Sequence, residues 1–198
     1  MNEAAASIER DRRTRILEGA MKVFLAYGFQ RTTMDDIARA ADLSRPALYL
    51  VFRNKGDIYR AIATGFFRDS LAKAQLALAG DDGFAARLSR AIDDGLLEIM
   101  APILASEHGA EILDMKNSLA ADLMAEWRQG FAGLMAAAIS AEADARQVDL
   151  SERGFSADGL AALVLDGLEG MKMRVADAAE QRRLAGQLVR LAALAVQP

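Results

Sequence analysis

The sequence predicts an all-α protein of about nine helices, and three observations carry that expectation. Alanine and leucine dominate while valine, isoleucine and threonine are sparse, which favours helices over strands. Apolar residues recur at spacings of three and four along most of the 198 residues. Capping residues precede the periodic runs: Thr33, Ser44 and Asn54 each stand just before one.

The first helix face runs Ile16, Leu17, Ala20, Val23, Phe24, Tyr27, and Gly28 stands at the left-handed position that ends a helix. Thr33 with Asp36 is a variant capping box, carrying Asp where Glu or Gln is usual, and it opens a helix over 34–41. Ser44 caps a short helix over 45–52, with Pro46 in its first turn, where a missing N–H costs nothing. Asn54 with Asp57 signals a long helix to Leu78, and GDDG at 80–83 breaks the chain. The stripe Phe84, Leu88, Ile92, Leu96, Ile99 follows, with Pro102 closing or kinking it. A short helix around Ile112 and Met115 precedes a longer one from Leu119 to Glu142. The polar run 144–156 is a connection, and two helices over 157–176 and 179–196 complete the chain.

Composition narrows the function. With no cysteine there is no disulfide framework, no cysteine-based metal site and no thiol nucleophile. There is no glycine-rich phosphate loop, one histidine and no paired acid/base constellation, so an enzyme is not expected: no catalytic residues, no cofactor, no metal. The charged N-terminus lacks a signal-peptide core, and the charge-free run through Gly130 to Ala141 is too short to span a bilayer. A cytoplasmic protein without membrane attachment is expected. Residues 1–60 hold 11 Lys+Arg against 8 Asp+Glu, whereas the remainder holds 13 against 20. A basic head on an acidic body suits a chain that meets a polyanion at one end.

The helices over 34–41 and 45–52 make a helix-turn-helix. Ala38 and Ala41 allow close approach, and Leu43, Leu48 and Phe52 seal the joint. Arg45, Pro46, Ala47 and Tyr49 are left on the outer side of the second helix, positioned for a major groove. Arg45 suits either a bidentate fork to guanine or a phosphate. Thr33, Tyr49 and Lys55 are expected at phosphates, fixing register, and Ser44, the cap, is counted with them on the DNA-binding surface. Leu50 and Val51 have no assigned role.

The run ILEGAMKVFLAYGFQRTTMDDIARAADLSRPALYLVFRNKGDIY closely resembles the DNA-binding head of the TetR family of bacterial transcriptional regulators. That family's pattern is a helix ending in Phe and Gly, then TT-x-x-D-I-A-x-x-A-G-V-S, then L-Y-x-x-F-x-x-K. This chain departs from it at Asp42, where glycine is usual in the turn; at Val51, where histidine or tyrosine is common; and at Gly56, after Lys55. Aspartate tolerates a left-handed backbone better than most residues, so the turn is expected to survive. The resemblance implies a DNA-binding domain over 1–56 and a helical regulatory and dimerisation domain over 57–198.

The later helices carry their own hints. Leu160, Leu163, Val164 and Leu168 form one stripe and Leu184, Leu188 and Leu191 another, and either serves the chain's own core or a partner copy in a four-helix bundle. Dimerisation has a second argument, because one short helix reads few base pairs and two heads about 34 Å apart read a palindrome. His108, Met115, Trp127, Phe131 and Met171 are the candidate contacts for a small, largely apolar effector, since methionine suits an adaptable pocket; the alternative is plain core. The expected function is a homodimeric repressor released from palindromic double-stranded DNA by such a ligand. The competing reading is a constitutive regulator or an activator without an inducer.

Overall fold

The computed structural model describes residues 3–175 and 177–198, with the side chains of 3–6, 115–117 and 172–173 outside the description. Ten α-helices follow one another among these residues, and none is interrupted by a strand. They are α1 (Glu3–Tyr27), α2 (Met34–Ala40), α3 (Arg45–Tyr49), α4 (Lys55–Leu78), α5 (Phe84–Ile92), α6 (Glu98–Leu104), α7 (Gly109–Leu119), α8 (Ala121–Ala145), α9 (Ala157–Arg174) and α10 (Ala178–Ala195). A π turn, Asp93–Leu97, joins α5 to α6 without a break, so the helical run 84–104 accounts for the expected count of nine.

Pro102 neither ends nor opens that run; it lies inside α6. Its ring removes one helical hydrogen bond and crowds the carbonyl four residues back. The wider π turn upstream, closed by Glu98 N–H to the Asp93 carbonyl, alters the ladder just before that point.

The chain divides into two compact units, residues 1–67 with 102–124, and 68–101 with 125–198. The division does not follow a 56/57 boundary, because α7 packs with the N-terminal helices. Sequence proximity could not reveal that, since Glu111 of α7 meets Gln30 across 81 positions.

In the first unit Ile16, Ala20, Phe24, Ile37, Leu48, Phe52 and Ile58 form a buried core, with Ile103 and Ile112 packed into it. Gly19 permits α1 to lie against the α2–α3 turn, since a Cβ there would sit 2.9 Å from the Ala41 nitrogen. Tyr59 is 7% exposed; its ring meets Phe29 edge-on at 5.6 Å, and its hydroxyl donates to the Ile112 carbonyl at 2.8 Å. Burial pushes that hydroxyl up to about 12. The folded pKa lies above the ordinary value near 10, so the stabilisation is complete below pH 10 and is lost as pH rises through about 12. Tyr59 should titrate late by tyrosinate absorbance, and Tyr59→Phe should remove this step from the alkaline limb of stability.

The second unit buries Leu88, Ile92, Phe131, Met135, Ile139, Leu165 and Leu168. At its centre lies a small hydrogen-bonded polar group. Ser70 is buried, donates to the Gly95 carbonyl in the π turn, and accepts from Trp127 Nε1 at 2.8 Å. Trp127 in turn leans on Phe131 with ring centroids 5.4 Å apart. Among the described residues no helix is long and apolar enough to cross a membrane.

Candidate nucleic-acid interface

Local chemistry fixes the entry to α2. Thr33 Oγ1 accepts from Asp36 N at 3.2 Å and donates to Asp36 Oδ2 at 2.6 Å, while Thr33 N donates to the same oxygen at 3.0 Å. The capping box is therefore complete, with Asp in place of Glu or Gln. These hydrogen bonds hold the Asp36 carboxyl below the usual carboxylate range, helped by Arg39. Gly28, with φ of 82°, ends α1, and Asp42 adopts φ of 53° in the α2–α3 turn. The aspartate thus stands in the left-handed conformation that glycine usually supplies.

Ser44 caps α3, accepting from Ala47 N at 3.3 Å, and Leu48 is fully buried beneath the helix. The helix is shorter than the sequence suggests, ending at Tyr49 rather than at residue 52. The Leu48 carbonyl accepts from both Val51 and Phe52 at 3.0 Å, which turns the chain inward so that Phe52 is buried. Val51 is half-buried against the same core, which gives it a packing role. Leu50 points the other way, 81% exposed.

Arg45, Pro46 and Tyr49 are exposed and Ala47 half-buried, so these neighbours share the outer side of α3. Asp35 holds the Arg45 guanidinium at 3.0 Å, and the same group lies 5.6 Å from the centroid of the Tyr49 ring. Tyr49 first, and Asp35 second, push the Arg45 pKa further up, so its charge is permanent. The arginine is oriented before any partner arrives. Asp35 carried no signal in the sequence, because an ion pair ten residues apart across a turn has no periodic signature.

Lys55 departs from the expected phosphate contact. Its Nζ donates to the carbonyls of Phe29, Gln30 and Thr32 at 2.8, 3.0 and 3.0 Å and lies 4.7 Å over the Phe29 ring. An ammonium has three protons. All three are directed into the turn between α1 and α2, which explains why the group faces inward. The same turn is gripped by Glu111, whose Oε1 accepts from Gln30 N at 2.7 Å. That residue, 81 positions away, was invisible to sequence reasoning.

The candidate effector contacts are not gathered in one unit. His108, half-buried with Nδ1 3.9 Å from Glu111 Oε2, belongs to the first unit. Trp127, Phe131 and Met171 are buried in the second. Met115 is in α7 of the first unit, and its side chain lies outside the described residues.

The two apolar stripes also divide. Leu160, Val164 and Leu168 are buried, and Leu184 and Leu188 are half-buried, whereas Leu163 and Leu191 are 61% and 64% exposed. Phe155, Leu160, Leu163, Leu188, Leu191 and Leu194 line an open apolar groove of about 450 Å³ on α9 and α10.

Residues 16–62 match the profile of bacterial regulatory proteins of the tetR family. An uncharacterized HTH-type transcriptional regulator of Bacillus subtilis strain 168, YhgD, is 33% identical over 82 residues, 41% of this chain and 43% of the relative. The chain thus spans under half the length of the first curated relatives it matches. The HTH-type transcriptional repressor Rv1474c of Mycobacterium tuberculosis is 26% identical over 183 residues, 89% of each chain. Among solved structures, SmeT, the repressor of the Stenotrophomonas maltophilia multidrug efflux pump SmeDEF, is similar with a TM-score of 0.65 at 16% identity, covering 92% of this chain and 91% of that one. At that identity the likeness is one of fold.

Proposed function

From the match of residues 16–62 to the tetR family of bacterial regulatory proteins, we propose that the chain is a TetR-type homodimeric repressor of transcription that binds palindromic DNA and is released by a small, largely apolar ligand. The observation that carries this reading is the outer side of α3. A buried Leu48 fixes the helix to its domain, and an exposed, pre-oriented Arg45 stands beside Tyr49. On the duplex Arg45 exchanges Asp35 for a guanine edge, and Tyr49 takes a phosphate. Ser44 has its hydroxyl proton left for a phosphate, because its oxygen serves the helix cap. Thr33 commits its proton to Asp36, so its part is to hold α2 in register. Lys55 acts through the turn it clamps.

Dimerisation is supported by the exposed Leu163 and Leu191 beside the apolar groove. The fold is similar to that of SmeT, a repressor of a multidrug efflux pump, and release by a ligand is proposed for the second unit. Trp127, Phe131 and Met171 are the proposed contacts in the second unit. A ligand lowers operator affinity only by binding the weak-binding state more tightly, a coupling of about 1–3 kcal/mol.

The test begins with full-length protein selecting duplexes from a random pool. Binding should be salt-sensitive, and Arg45→Ala should weaken it about 10- to 100-fold with the fold intact by circular dichroism. If Arg45→Ala and Tyr49→Phe both bind the selected duplex normally, the recognition surface is elsewhere. Compounds that raise the melting temperature are then added to the complex; stabilisation without DNA release counts against induction.

A further inference from the structure

The residue that faces most directly away from the first unit's core, alongside α3, is an aliphatic one. Successive helix positions are rotated by about 100°. Positions two before and two after the buried Leu48 therefore lie nearly opposite it, and these are Pro46 and Leu50. Pro46 is exposed, and Leu50, at 81%, is the most exposed large apolar side chain among the described residues. Arg45 and Tyr49 lie to one side of this ridge, stacked on each other. The ridge itself offers no hydrogen-bonding side chain. Proline has no N–H, and the Leu50 N–H is already donated to the Pro46 carbonyl at 3.2 Å.

A ridge of this kind cannot read the donor and acceptor pattern of base edges. The major groove presents one apolar group that it can read, the 5-methyl of thymine. Leu50 is continuous with the Arg45–Tyr49 surface, so whatever that surface docks against also covers Leu50. We propose that Leu50, backed by Pro46, is a specificity-determining residue that packs on a thymine 5-methyl in each half-site, beside the base pair read by Arg45. The proposal rests on the DNA-binding reading above and adds to it the base that the aliphatic ridge selects.

Deoxyuridine differs from thymidine by that methyl alone and keeps every hydrogen-bonding group. In the duplex selected by the full-length protein, each thymine is replaced singly by uracil. One position per half-site should weaken binding about 4-fold, and the symmetric double replacement about 15-fold, the effect of one buried methyl or two. Leu50→Ala should bind the thymine duplex more weakly and lose the thymine–uracil difference. Arg45→Ala should weaken binding while keeping that difference. Because Leu50 is exposed, Leu50→Ala should melt with the parent protein. A selected duplex insensitive to uracil at every position, or a methyl effect that survives Leu50→Ala, overturns the proposal while leaving DNA binding intact. If no duplex is selected from the pool, the DNA-binding reading fails and this inference fails with it.

Discussion

Lys55→Met should lower the stability of the first unit by about 2–4 kcal/mol and abolish operator binding as a consequence. The lysine ammonium is the shared donor for three carbonyls, those of Phe29, Gln30 and Thr32, in the turn that delivers the chain from α1 to α2. Hydrogen bonds to charged groups contribute about 1.5–3 kcal/mol each in isolation, and orphaned carbonyls that still reach water recover part of the loss. Methionine keeps the stem against Phe29 and removes only the donors. Lys55→Arg should restore little, because a planar fork cannot converge three N–H groups on one point. The expected melting shift is roughly 5–10 °C in the absence of DNA. A phosphate-binding lysine behaves differently: its loss leaves melting unchanged and reduces the salt slope of DNA binding by about 0.9. Unchanged melting with a reduced slope would return Lys55 to the DNA surface.

The contrast between Lys55 and Arg45 marks how far residue spacing reaches. Features whose partners lie within four positions were legible: the Thr33–Asp36 box, the Ser44 cap, the left-handed Gly28 and the tolerance of Asp42 for the same conformation. Each is a local contest between a side chain and nearby backbone groups, which the sequence states directly. Lys55 reaches 26 residues back to Phe29, and Glu111 reaches 81 back to Gln30. Such contacts exist only once the core has formed, and no periodicity encodes them. The end of α3, at Tyr49 instead of the expected residue 52, has a related cause. Leu50 and Val51 continue an apolar run, yet the Leu48 carbonyl draws the chain inward to bury Phe52. Leu50 could have been identified from the sequence, because its offset of two from a buried leucine places it on the outer face. The apolar character of its side chain concealed this, since an exposed leucine looks like core.

The α9 and α10 stripes show the same limit and lead to the second large effect. Spacing identified the apolar residues but not their directions. On α9 the buried positions Ala161, Val164, Leu165, Leu168 and Met171 define the inward face, which leaves Leu163 well to one side. On α10 the buried Gln181, Ala185, Val189 and Ala192 do the same and leave Leu191 outside. A wide stripe therefore contains both an inner face and a second face turned outward.

Leu163→Glu combined with Leu191→Glu should convert the protein to a monomer at micromolar concentration. Both side chains are more than half exposed in the isolated chain, so each substitution alone should alter its stability by under about 0.5 kcal/mol. In a two-fold interface every substitution occurs twice, so four carboxylates enter a surface that excludes water. The lost leucine burial and the unpaired charges together should weaken association at least about 100-fold, read by analytical ultracentrifugation. Binding to the selected two-half-site duplex should fall by a similar factor, whereas a duplex carrying one half-site should bind parent and variant alike. That second comparison separates loss of pairing from loss of folding. A parent protein that sediments as a monomer, or a variant that remains dimeric, would remove α9 and α10 from the interface. The stakes follow from the size of the reading element. A five-residue helix reading, as proposed, one guanine and one methyl would not find its site among a genome of competitors, and a second copy at a fixed spacing would roughly square its selectivity.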